Sequence, residues 1–137
     1  MTASHDGLTH EELVVLAALA TVIMRADGHV EPGEVSAFLE LPRSLVEFSG
    51  VTQPSGYRDA PQRGRPVDSR RWIEIYDQAT KQLDSDERIK HAARAVQRPE
   101  ARSLMYLKLW DLATVGTMGR AEQFALAWLR EAWDLRY

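Results

Sequence analysis

The chain has 137 residues, a net charge of −3, 45% hydrophobic and 27% charged residues, and no cysteine. This length is typical of one domain that buries roughly two-thirds of its unfolded surface, and the apolar content excludes a disordered chain. The lack of cysteine excludes disulfides, thiolate zinc sites and a cysteine nucleophile.

Charge is divided unevenly along the sequence. Residues 1–57 carry two basic and eight acidic side chains, whereas residues 58–108 carry twelve basic and eight acidic ones. The division indicates surfaces of opposite sign, but neither is extreme enough to predict nucleic-acid binding.

The first ten residues are polar and lack the pattern of a secretory signal, so we expect a cytoplasmic protein. The longest apolar run, Leu13 to Met24, has 12 residues, fewer than the ~20 that span a bilayer. We therefore expect no transmembrane segment, and membrane association only at the periphery, through a partner.

The first predicted helix begins at a capping box formed by Thr9 and Glu12. Its apolar residues cover two faces, which is typical of a helix in the middle of a bundle. Gly28 is expected to end it, because glycine commonly closes helices in the left-handed conformation. Pro32 favours a second helix from about Glu31 to Glu40.

Leu45, Val46 and Phe48 suggest one more short helical stretch, followed by a loop rich in Pro, Gly and Arg at about residues 49–67. Three or four further helices are predicted. Their apolar stripes are Trp72, Tyr76, Ala79 and Leu83, then Ile89, Ala92, Ala93 and Val96, then Leu104 to Ala113, then Phe124, Ala125, Trp128, Leu129, Ala132 and Trp133. Asp84 or Ser85 is expected to cap the second of these. Pro99 opens the third, which we expect to be central. No segment has strand-like alternation, so the prediction is a single all-α bundle of about six or seven helices.

The densest set of ligand-type side chains lies in the turn from Asp27 to Glu34. It imitates the back half of an EF-hand calcium loop, but Ile23 and Arg25 would occupy loop positions that need oxygen ligands. One interpretation is structural, because Asp27 ends a helix and Glu34 lies near the positive end of the next. The other is a weak divalent-cation site formed by Asp27, Glu31 and Glu34, since hard cations prefer clustered carboxylates.

The segments Leu16-Ala17-Ala18-Leu19-Ala20 and Arg25-Ala26-Asp27-Gly28-His29-Val30-Glu31-Pro32-Gly33-Glu34 resemble the signature of the TerB-like superfamily. That superfamily includes tellurite-resistance TerB and the N-terminal region of the DjlA co-chaperones. The resemblance implies a compact helical domain of tellurite-resistance or stress-response type, with metal-ion binding and a role in assemblies at the membrane face.

The resemblance also implies two related helical halves, and a second copy is visible at an offset of 88 residues. Glu34 then aligns with Glu122, whereas Asp27 and Glu31 align with Val115 and Gly119. Of the implied metal ligands in the second half only Glu122 remains, and Asp111 is the candidate for a further ligand there.

The leading hypothesis is thus a non-enzymatic module that binds a divalent cation. The alternative is a protein-interaction domain that meets a protein partner or a second copy through Trp128, Trp133 and Tyr137, since aromatic residues are enriched at interfaces. A core position for Trp128 stays open beside it.

Two other function classes have less support. Nucleic-acid binding would rest on Arg58, Arg63, Arg65, Arg70 and Arg71, which we interpret as part of a solvated loop. No phosphate loop, nucleophile elbow or metalloprotease motif indicates an enzyme.

Overall fold

The computed structural model describes residues 7–26, 32–43, 45–48, 65–115 and 119–135. These ranges contain six helices and three short strands. In chain order they are β1 (Gly7–Thr9), α1 (His10–Arg25), α2 (Pro32–Glu40), β2 (Val46–Phe48), β3 (Arg65–Pro66), α3 (Ser69–Gln82), α4 (Asp86–Ala95), α5 (Pro99–Ala113) and α6 (Arg120–Ala132). The predicted all-α bundle is confirmed.

Helix α1 occupies the centre of the bundle, as its two apolar faces predict. The capping box is present: the Thr9 hydroxyl accepts from the Glu12 amide at 3.2 Å, and the Glu12 carboxylate accepts from the Thr9 amide at 2.9 Å. Most of the helix is buried, and α3, α4, α5 and α6 all pack against it. Burial of this helix therefore supplies much of the core's apolar surface.

The remaining helices begin where the sequence predicts. Pro32 is the first residue of α2 and Pro99 the first of α5, where the missing proline amide leaves no hydrogen bond unmade. The Ser85 hydroxyl accepts from the Arg88 amide at 3.2 Å and so caps α4. A buried indole joins two elements, because Trp72 on α3 donates to the Phe38 carbonyl of α2 at 2.8 Å.

Helix α5 is central on one face only. Met105 and Leu109 are fully buried, but Leu107 and Trp110 are 51% and 42% exposed. Helices α3 and α4 pack on α1, whereas α5 packs on α1, α2 and α6. The prediction that α5 is central is therefore correct for the face toward α1 and wrong for the opposite one.

A small three-stranded sheet replaces the short helix predicted at Leu45, Val46 and Phe48, so that prediction was wrong. β1 pairs in parallel with β2, with Gly7 opposite Val46, and β2 pairs antiparallel with β3, with Val46 opposite Pro66. β3 also lies within the predicted loop of residues 49–67. Strands of two or three residues are too short for alternation to be detected, and Pro66 is tolerated because β3 is an edge strand.

The element bounds follow the 88-residue offset. Adding 88 to the bounds of α1 gives residues 98–113, almost the span of α5, and adding 88 to Pro32 gives Arg120, the first residue of α6. α1 packs on α5, while α2 contacts α5 and α6 contacts α1. Each of the two shorter helices therefore packs on the long helix that lies 88 positions from its own, and α6 also packs on α5.

Candidate functional site

The predicted acidic site is only partly described by the structure. Asp27 and Glu31 lie outside the described residues. Glu34 and Glu122 are both buried, and each is the third residue of its helix. The Glu122 carboxylate accepts a hydrogen bond of 2.7 Å from the Gly119 amide. It therefore satisfies a backbone donor at the start of α6, where the helix dipole also favours a negative charge.

Of the other predicted ligands the structure describes only Asp111, and it does not form a three-ligand group with Glu34 and Glu122. Asp111 is exposed on α5. Within the described ranges, no group of three or more His, Asp or Glu side chains is placed to hold a metal ion. Glu122 is accounted for as a helix cap, and a site at the Asp27 turn stays a prediction.

Of the three aromatic residues predicted at an interface, one is in the core, one lies outside the described residues and one lines a cleft. Trp133 is 2% exposed, and its indole donates to the Ala93 carbonyl of α4 at 2.7 Å, so it is a core residue and is removed from the interaction surface. Tyr137 lies outside the described residues. Trp128 is half-buried and lines a cleft.

This cleft lies between α1, α4 and α6, has a volume of about 340 Å³ and is partly open to solvent. We call it the α1–α4–α6 groove. Its lining is mainly apolar: Leu19, Val22 and Ile23 of α1, Asp86, Ile89 and Lys90 of α4, and Phe124, Ala125, Trp128 and Leu129 of α6. Phe124 is 69% exposed, the most exposed large hydrophobic side chain of the described residues.

The groove extends beyond this cleft. A neighbouring cleft of about 480 Å³ shares Val22, Asp86, Ile89 and Ala125 with it and reaches Arg25. Together the two clefts follow α6 from Ala121 to Leu129. At 1.5 Å per residue this corresponds to about 12 Å, or two helical turns.

Two cations lie at the Trp128 end of the groove. Lys90 Nζ is 5.4 Å and Arg94 Cζ is 5.2 Å from the centroid of the Trp128 ring, within the range of cation–π attraction. In the described part of the chain, neither cation has a carboxylate in ion-pair range. The α4 carboxylate that lines the groove, Asp86, lies about one turn before Lys90 and two turns before Arg94 on the same helix.

Part of this groove could be predicted from the sequence. Trp128 was a candidate, but Lys90 and Arg94 were missed because basic residues on an amphipathic helix normally face solvent. Phe124 and Trp128 are four residues apart, so they share one side of α6, while Leu126 and Leu129 fill the core. An aromatic pair beyond what the core needs is the feature that could have indicated a site.

A second cluster of charged residues ties the start of α1 to its surroundings. Arg98 donates to both Glu12 carboxylate oxygens, at 2.9 and 2.7 Å, and to the Gly7 carbonyl at 3.1 Å. Burial raises the pKa of Glu12, but hydrogen bonds from Arg98 and from the Thr9 amide outweigh it, so the pKa lies below its ordinary value. The same interaction raises the pKa of Arg98.

A similar pair joins β2 to α3. Arg71 donates to both Glu47 carboxylate oxygens at 2.8 Å, and its third nitrogen reaches Glu74 at 3.2 Å. Hydrogen bonds from Arg71 lower the pKa of Glu47 more than its partial burial raises it. His10 Nδ1 lies 2.9 Å from Arg71 Nη2, so it is the acceptor there. Arg98 pairs with Glu12, and Arg71 pairs with Glu47. Because each of these charges has a partner within the protein, we interpret the two ion pairs as structural.

Comparison with family models, with curated proteins and with solved structures gives no match. The TerB-like resemblance therefore depends on the sequence motif alone and stays a prediction. Among the helices of the described ranges, none is long and apolar enough to cross a membrane.

Proposed function

We propose that this protein is a non-catalytic helical binding module of the cytoplasm, and that the α1–α4–α6 groove is its binding site. The observation that carries the proposal is the exposure of Phe124 beside an apolar groove that already contains Trp128. Exposed apolar surface bordered by polar residues is typical of interaction sites, and aromatic residues dominate the binding energy there.

The polar groups along the groove support binding without catalysis. The hydroxyls of Thr21 and Thr80 each donate to a backbone carbonyl of their own helix, at 3.0 and 2.8 Å. Among the described lining residues, no imidazole or amine lies beside a hydroxyl as a nucleophile–base pair requires. The groove thus offers area and charge to a ligand, and no activated group.

A neutral fluorescent probe, N-phenyl-1-naphthylamine, tests the groove independently of charge. We expect its fluorescence to rise on binding the protein and to be largely lost with Phe124→Ser. Leu107→Ser is the matched control, because Leu107 is a similarly exposed apolar residue on α5 and should leave binding unchanged. Equal loss in both variants, or no binding to the unmodified protein, would contradict the proposal.

Divalent-ion binding through Asp27, Glu31 and Glu34, and with it a tellurite-resistance or stress-response role, belongs to the TerB-like hypothesis. It is tested by following backbone amide shifts during titration with Mg²⁺, Ca²⁺, Mn²⁺ or Zn²⁺. Shifts confined to the Asp27 turn and abolished by Asp27→Asn would support it. Unchanged spectra at millimolar ion would remove it.

A further inference from the structure

We propose that the occupant of the α1–α4–α6 groove is an amphipathic helix of a protein partner that carries acidic residues at the Trp128 end. This inference rests on the proposed function and adds the chemical class of the ligand.

The shape of the groove favours a helix. It is an open trough about two helical turns long, lined by α1, by α6, and by α4 with the end of α3. Amphipathic helices bind such troughs through apolar residues spaced three, four and seven positions apart. A small apolar ligand normally has most of its surface enclosed, which a trough open along one side does not provide.

The charges at one end favour an acidic partner. Lys90 and Arg94 are four residues apart on α4, a spacing at which like charges destabilise a helix. Both lie against the Trp128 ring, and neither is neutralised by an ion pair within the described residues. A carboxylate from a bound helix would relieve this repulsion and would pair with two cations whose positions are already held by the indole.

Asp86 gives the occupant a direction. It lines both clefts and lies at the opposite end of α4 from Arg94. An acidic side chain bound there would be repelled, whereas a basic or neutral one would not. The partner helix should therefore carry its acidic residues over Lys90 and Arg94 and none over Asp86.

Two synthetic peptides of 14 residues test the inference with the full-length protein. Both are held helical by a lactam bridge and share one leucine stripe, but one carries two Glu at one end and the other carries two Lys there. From two partly exposed ion pairs we expect the Glu peptide to bind roughly tenfold more tightly in fluorescence anisotropy. The double variant Lys90→Glu, Arg94→Glu should reverse the preference.

The NMR signals of the indole N–H groups of the four tryptophans show where the peptide binds. Trp128 should shift when the Glu peptide is added, while Trp110, on the outer face of α5, should not. A peptide-induced shift at Trp110 with none at Trp128 would overturn the inference. So would a peptide preference that survives the charge reversal.

Other occupants give distinguishable results. Binding of sodium dodecanoate together with failure of both peptides would overturn the helix in favour of an acyl chain. Self-association in sedimentation that Phe124→Ser abolishes would overturn it in favour of a second copy. Equal binding of the two peptides would leave the proposed groove in place and reject its acidic ligand, whereas failure of the neutral probe and both peptides would reject both proposals.

Discussion

The long helices α1 and α5 are related by the 88-residue offset, yet their outer faces have opposite environments. Leu19 of α1 is 4% exposed, and the residue 88 positions later, Leu107, is 51% exposed. Val22 is half-buried in the groove, and its counterpart Trp110 lies 42% exposed on α5. The difference follows from α3 and α4, which pack on α1 and leave the outer face of α5 uncovered.

This difference accounts for the position of the groove on α1. α4 and α6 both contact α1, and the space left between them is the α1–α4–α6 groove. α4 belongs to the basic middle of the chain, so it also brings Lys90 and Arg94 to that space. The positive charge of the candidate site thus comes from α4, while α1 and α6 supply most of its apolar lining.

The largest expected difference in stability is between Leu19→Ala and Leu107→Ala. Leu19→Ala should lower the free energy of unfolding by about 2–5 kcal/mol, because it removes buried methyl groups and leaves a cavity. Leu107→Ala should change it by no more than about 0.5 kcal/mol, since most of that side chain is already in water. Urea unfolding measures both, and similar losses in the two variants would contradict the asymmetry between the helices.

Much of the fold could be predicted because the decisive signals are local. The capping box at Thr9, the prolines at positions 32 and 99 and the Ser85 cap each fix a helix start through neighbouring residues. The sheet was missed because β1 and β2 are joined by pairing across almost 40 residues, which no local pattern records.

The candidate site was harder to predict for the same reason. Trp128 appears in an apolar stripe whether it faces the core or a groove, and its surroundings are set by α4. Trp133, five residues later, has its place in the core fixed by a carbonyl of α4, 40 residues earlier in the chain. Whether an aromatic side chain near the end of α6 belongs to the core or to the groove therefore depends on its contacts with α4.

An intermediate effect on stability is expected from a substitution at the start of α5. α1 has a capping box, but α5 has no side-chain cap, and Arg98 before it binds Glu12 of α1 instead. Arg98→Gln should lower stability at pH 7 by about 1–3 kcal/mol, a range reduced because the arginine is partly exposed. Arg88→Gln, which removes an exposed ion pair with Asp84, is the control and should have little effect.

The ion pairs of Glu12 with Arg98 and of Glu47 with Arg71 predict that the stability of the protein depends on pH. The folded-state pKa values of Glu12 and Glu47 are lowered, so their stabilisation is fully present above the unfolded value of about 4.5 and is lost as pH falls below it. The difference between the unmodified protein and Arg98→Gln should narrow in acid, where Glu12 becomes protonated in both. Thermal unfolding between pH 7 and pH 3 measures it, and a constant difference would contradict the assigned role of Glu12.

The smallest effect concerns how the helices end. The sequence places glycines after α1 and α5, but α6, which ends at Ala132, is followed by Asp134 with a φ of 54°, in the left-handed region. The Asp134 amide donates to the Glu131 carbonyl at 3.2 Å, and the Leu135 amide donates to the Arg130 carbonyl at 2.9 Å. This way of closing a helix needs a left-handed residue at position 134, and glycine adopts that conformation with less strain than aspartate.

Asp134→Gly should therefore raise stability by about 0.5–1 kcal/mol, because it relieves the backbone and removes a negative charge from the end of a helix dipole. Asp134→Asn separates the two causes, since it removes the charge but keeps a side chain that tolerates this conformation. Asp134→Ala should give no net gain, because the benefit of removing the charge is offset by a left-handed conformation that alanine tolerates less well than aspartate. A gain with alanine equal to that with glycine would show that charge, and not the backbone, limits the end of α6.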